Sequence, residues 1–98
     1  MSQTARSIIE NLPIHWQANG ENNGIPVRIW EGYGHEARVT FGFDRKWGAV
    51  VDHSGEIFPE DQEAEALGYA ERKIRARLLS RLDAAERLRE DLAPLVSI

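Results

Sequence analysis

The chain contains no cysteine among its 98 residues. Disulfide staples, thiol nucleophiles and thiolate metal sites are therefore excluded, and stability has to come from packing or self-association. Nor is there any apolar run near the ~18–20 residues that a membrane span requires. The opening MSQTARSIIENL lacks the basic-then-apolar pattern of a secretory signal, so a cytoplasmic location is expected. Basic residues are the scarcer charge, 12 against 16 acidic, for a net charge of −4. Proteins that grip nucleic acid owe much of their affinity to Lys and Arg on phosphates, so nucleic acid is a poor expectation for a partner. Gly-rich phosphate cradles, close-spaced histidine ligand motifs and serine-nucleophile signatures are also missing. No catalytic residue, cofactor or metal is expected, and the protein reads as a non-enzyme.

What is present is an ordinary globular composition, 42% hydrophobic and 29% charged, at a length that supports one domain and one modest core. A single domain over residues 1–98 is expected. A short helix and lead-in occupy 1–13, an antiparallel sheet 14–58, and a long helix with its tail 59–98. Ser2 or Thr4 can cap the first helix, and Pro13 ends it. IHWQA reads as a short strand, and the segment NGENNG after it as an exposed turn or loop.

Three segments then alternate with period two: IPVRIWE, HEARVTFGF and KWGAVVD. Closing the first hairpin around Tyr33 pairs Ile29 with Ala37 and Val27 with Val39. Closing the second around Arg45 pairs Phe43 with Trp47, Phe41 with Ala49 and Val39 with Val51. Both closures gather the odd-numbered apolar residues on one face. The outer face would then carry Arg28, Trp30, Glu36, Arg38, Thr40 and Val50, with Asp52 opposite Arg38.

From Glu60 to about Leu92 the period changes to that of a helix, with Leu67, Ala70, Ile74, Leu78, Leu82, Ala85, Leu88 and Leu92 on one stripe. Pro94 marks its end. Glu71–Arg75, Asp83–Arg87 and Arg87–Asp91 are i, i+4 pairs of opposite sign. Such a helix is a rod of roughly 50 Å, whereas a seven-residue strand is only ~23 Å long. The distal stripe therefore needs a cover: the first helix folded back, a break near Arg81, or a second protein. The expected architecture is α+β, with a short N-terminal helix, a three- to four-stranded antiparallel meander and a long amphipathic C-terminal helix packed on one sheet face.

Three functions fit this pattern. The leading expectation is a small non-enzymatic protein-interaction module, an inhibitor or adaptor, one concrete version being a phage-type anti-defence protein that blocks a nucleic-acid-binding site. Its partner would be another protein, contacted through Arg28, Trp30, Tyr33, Glu36 and Arg38, because Trp, Tyr and Arg are enriched in interface hot spots. It would also form a homodimer through Leu78, Arg81, Leu82, Ala85, Leu88 and Leu92 of the last helix. The second is a nucleic-acid binder using the outer sheet face and the basic run RKIRAR. The third is a small metal-dependent or acid–base enzyme built on His35, His53 and Glu31, which the inferred register places together. Polar residues gathering where strands fray into turns is the better account of that trio, and the histidines read as punctuation on a hairpin.

Overall fold

Four tight connections organise the sheet. In the computed structural model, which describes residues 4–96, the order is α1 (Ala5–Glu10), β1 (Gln17–Asn22), β2 (Ile25–Gly32), β3 (His35–Phe41), β4 (Trp47–Val51), β5 (Ser54–Phe58) and α2 (Glu63–Val96). The strands form one antiparallel sheet in sequence order. Asn23–Gly24, Tyr33–Gly34 and Asp52–His53 each have positive φ at both positions, the condition that a type I′ two-residue hairpin turn imposes. The fourth connection is longer. Arg45 N–H donates to the Gly42 carbonyl and Gly42 N–H to the Lys46 carbonyl, with Arg45 itself left-handed.

These turns set registers that differ from those expected. The Tyr33–Gly34 turn pairs Gly32 with His35, so Trp30 opposes Ala37 and Arg28 opposes Val39. That is an odd shift from a closure around Tyr33, and it turns every β2 side chain over. The β3–β4 hairpin is shifted by two residues instead, pairing Phe41 with Trp47, Val39 with Ala49 and Ala37 with Val51. Its odd residues keep their face, and Phe43 moves into the turn, 84% exposed.

Two segments expected as loop or transition are strands. NGENNG supplies the end of β1 and an Asn-Gly turn, with a register shift between Ala18 and Glu21 where Gly20 has φ of +73°. The asparagines tie this hairpin to its neighbour: Asn22 Nδ2 donates to the Phe41 carbonyl at 2.7 Å and Asn23 Nδ2 to that of Gly42 at 2.8 Å. SGEIF is β5, making five strands where three or four were expected. The remainder of the expected α+β order stands.

The described chain divides into two compact units. One is Pro13–Ile74, containing the sheet and the first turns of α2. Its buried residues are Ala37, Val39, Phe41, Trp47, Ala49 and Val51 from the sheet and Ala66, Ala70 and Ile74 from α2. Burying a side chain the size of Val39 or Ile74 stabilises by about 1.5–3 kcal/mol. Around this core the indoles are tied down. Trp47 Nε1 donates to the Glu60 carbonyl at 2.9 Å and Trp16 Nε1 to Glu71 Oε2 at 3.3 Å. Trp47 also packs on Phe41 with ring centroids 4.9 Å apart, and Phe58 on Tyr69 at 5.6 Å.

The other unit joins the segment up to Leu12 with α2 from Arg75 onward. Thr4 caps α1, its side chain accepting from Ser7 N–H; Ser2 lies outside the described residues. Arg6 pairs with Asp83, and the Arg75 guanidinium donates twice to the Leu12 carbonyl, at 2.8 and 3.1 Å. The expected local pairs Glu71–Arg75 and Asp83–Arg87 thus lose their members to tertiary partners. An i, i+4 pair contributes only about 0.2–0.5 kcal/mol, against about 1.5–3 for a hydrogen bond to a charged group. The helix also runs through Pro94 to Val96 instead of ending at it, without the hydrogen bond that an N–H at position 94 would give the Glu90 carbonyl. No described helix is long and apolar enough to cross a membrane.

A Cβ at Gly55 would stand 2.4 Å from the Ala49 carbonyl oxygen and 2.9 Å from Val50 Cγ2. Gly55→Ala is therefore expected to lower unfolding free energy by about 1–3 kcal/mol, and Ser54→Ala beside it by no more than about 0.5. Urea denaturation of the two variants checks this; equal midpoints would mean that β5 is not held tightly against β4.

Candidate interaction surface

The register decides which residues share a surface. Across the outer face one row reads Gln17, Ile29, Arg38, Val50, Gly55, each residue the cross-strand partner of the next. Beside it, Thr40, Gly48 and Ile57 form a second row on β3 to β5, and Val27 shares this face on β2. An antiparallel sheet with one solvated face ordinarily alternates apolar-in with polar-out. Here β2 is apolar on both sides, because its turn sends Ile25, Val27 and Ile29 outward. Val50 is 40% exposed and Ile57 68%. Gly48 and Gly55 carry no side chain, so the surface between these aliphatics is low.

The expected partner-binding residues separate. Glu36 and Arg38 lie on the outer face, as anticipated, and both are exposed. Tyr33 is 66% exposed at its turn. Arg28 and Trp30 do not join them, since the odd register shift places both on the helix-covered side. Arg28 pairs with Glu63 at 2.5 Å. Trp30 is half-buried, its ring lying over Gly32, where an added Cβ would sit 2.8 Å from Cζ2. Arg38 opposes Val50 rather than Asp52, and among the described residues it makes no ion pair.

The histidine trio is not assembled either. His35 stays on the helix side of β3, Glu31 turns to the outer face opposite Glu36, and His53 is exposed in a turn. Among the described residues no cluster of three or more His, Asp or Glu could hold a metal ion. His35 instead pairs with Asp52: Nδ1 lies 2.6 Å from Oδ2, while Asp52 Oδ1 accepts the Glu36 N–H at 2.9 Å. The Asp52 N–H returns a bond to the Glu36 carbonyl at 2.9 Å. One carboxylate therefore closes the β3 end and the β4–β5 turn together. The His35 ring is 14% exposed and its Nε2 is buried without a partner. This geometry is a structural clasp. Its signal in the sequence was the Asp-His pair after an apolar run, which sequence reasoning took for a fraying end.

The basic run RKIRAR is also divided. Ile74 within it is buried, Lys73 Nζ lies 5.7 Å from the Tyr69 ring centroid, and Arg75 holds the Leu12 carbonyl. The self-association candidates of α2 divide in the same way. Leu78 is buried and Leu82 half-buried, whereas Arg81, Ala85, Leu88 and Leu92 are exposed. Every residue from 84 to 95 is exposed, including Leu88 at 59%, Leu92 at 45% and Leu95 at 66%. Leu95 extends the stripe beyond the expected set, in the turn that Pro94 was expected to terminate.

No protein-family model matches the chain, and no curated protein or solved structure matches it either.

The clasp yields a graded prediction. Asp52→Ala removes both acceptors and is expected to destabilise the fold by about 1–3 kcal/mol. Asp52→Asn keeps an oxygen for the Glu36 N–H and suits the left-handed backbone at φ of +48°, so it should lose clearly less. Thermal unfolding ranks the two, and equal losses would assign the effect to charge rather than to the acceptor geometry.

Proposed function

We propose that this protein is a small non-enzymatic protein-interaction module, an inhibitor or adaptor, that forms a homodimer through the distal part of α2. The observation that carries the reading is the stretch from 84 to 95, helical yet exposed at every position, with Leu88, Leu92 and Leu95 at i, i+4 and i+7. This stretch continues the helix that begins at Glu63, and helical stability in proteins comes mainly from packing an apolar face. A leucine stripe left in water is the kind of patch that marks a protein contact.

The outer sheet face supports the same reading. It combines aliphatic side chains with Arg38 and lies near the exposed ring of Tyr33, the composition of an interface rather than of a catalytic pocket. A nucleic-acid role draws less support, because Glu31 and Glu36 flank Arg38 on that face and would repel phosphate.

Absolute mass by light scattering over a range of concentrations tests the dimer. Wild type is expected to approach twice 11.1 kDa, and Leu88→Glu/Leu92→Glu to remain a folded monomer with unchanged circular dichroism. Both positions are exposed, so the substitutions leave the cores intact. A wild-type monomer at all concentrations would overturn the dimer.

A further inference from the structure

The protein has two exposed apolar surfaces, and their charges match each other. We propose that the leucine stripe of α2 from one protomer seats on the outer sheet face of a second copy. This rests on the dimer reading and specifies its contact as helix on sheet, not helix on helix.

On the sheet, Arg38 and Glu36 are exposed on the same side of β3, two residues and therefore ~6.7 Å apart. Arg38 has Ile29 and Val50 as its cross-strand partners, and Glu36 faces a second acid, Glu31. A cation set among aliphatics calls for an anion, and two opposed carboxylates call for a cation. On the helix, Asp91 lies three residues after Leu88 and four before Leu95, at the margin of the stripe. Arg87 is one turn before Asp91, ~6 Å along the axis. Neither takes part in an ion pair among the described residues. The two spacings coincide, so one docking sets Asp91 against Arg38 and Arg87 against Glu36. Leu88 and Leu92, one turn apart along the helix axis, then lie to one side of β3, with Leu92 beside Arg38 over its cross-strand partner Val50.

A helix on a sheet is a standard two-layer packing. The flat place at Gly48, where an added Cβ would meet nothing nearer than the Thr40 carbonyl oxygen at 3.9 Å, leaves room for a leucine side chain between Val50 and Ile57. The outer face is then occupied in the dimer and free in the monomer, so a target using Arg38 would compete with self-association.

The absence of cysteine allows a direct test on the full chain. Val50→Cys and Leu92→Cys are made singly, mixed and oxidised; both sites are exposed. The expected product is the mixed disulfide between the two variants, with little Leu92→Cys homodimer. A Leu92→Cys homodisulfide in its place would overturn the helix-on-sheet contact while leaving the dimer standing. In parallel, Arg38→Glu should weaken the dimer about tenfold or more in sedimentation equilibrium, and Arg38→Glu/Asp91→Arg should recover most of that loss. An unchanged Arg38→Glu dimer, or a double variant no stronger than the single, overturns the proposal. A wild-type monomer removes the dimer reading and this contact together.

Discussion

The arrangement of every surface in the sheet depends on a backbone condition, that both residues of a two-residue hairpin turn accept positive φ. Gly34 meets it freely, but Tyr33, Asp52 and His53 do so against a preference of roughly 1–2 kcal/mol per residue. Each turn joins two strands whose ladders and buried side chains stabilise more than this. The clasp at Asp52 adds a specific offset, since its carboxylate bonds both His35 and the Glu36 N–H. Such turns also reverse parity. A two-residue loop pairs an odd residue with an even one, so the inward set changes from odd to even across it. The longer Gly42–Lys46 connection leaves parity unchanged.

That parity explains which parts of the fold were legible in the sequence. On β3 and β4 only one side is apolar enough to bury, and Ala37, Val39, Phe41, Trp47, Ala49 and Val51 could be assigned to one face despite a two-residue register error. The stripe Ala70, Ile74 and Leu78 was equally plain, because a 3.6-residue period leaves no second choice of face. In β2 the pattern was ambiguous. IPVRIW has Ile25, Val27 and Ile29 on one side and Trp30 on the other, and hydrophobicity favoured the three aliphatics for the core. The turn at Tyr33–Gly34 decided for Trp30. The two edge strands were fainter for another reason: the strand expected at IHWQA reaches only Gln17 and Ala18 of β1, beyond which Asn, Gly and Glu dominate, and β5 is five residues with a single charge, so neither shows alternation. Of the interaction candidates, Glu36 and Arg38 were placed correctly because β3 was; Arg28 and Trp30 were misplaced with their strand.

Charge placement follows the same contest between local and tertiary terms. Arg75, Asp83 and Glu71 all sit at i, i+4 spacing from an opposite charge, yet each is engaged by a group distant in sequence: the Leu12 carbonyl, Arg6 and the Trp16 indole. Where no distant element is available, as from residue 84 to 95, the charges stay exposed around the leucines. The exposed Arg45 turn is a small instance of the first case. Its guanidinium is held above the usual value by a hydrogen bond to Glu60 and then by that carboxylate's charge, linking the β3–β4 turn to the approach of α2.

A sheet covered by one helix segment has one face to spare, and β2 makes that face apolar. Had the chain evolved only to fold, a polar outer row on β2 would cost the core nothing, because Trp30, Arg28 and their neighbours already fill the inner side. Ile25, Val27 and Ile29 are instead turned outward beside Val50 and Ile57, and Leu88, Leu92 and Leu95 of α2 are helical and exposed. Either surface would be tolerable as an isolated feature. Together, with Arg38 amid aliphatics on one and Asp91 at the margin of the other, they are the two sides of the proposed contact. Self-recognition through them would hold the distal helix in its helical form and keep the open sheet face from water until a target competes for it.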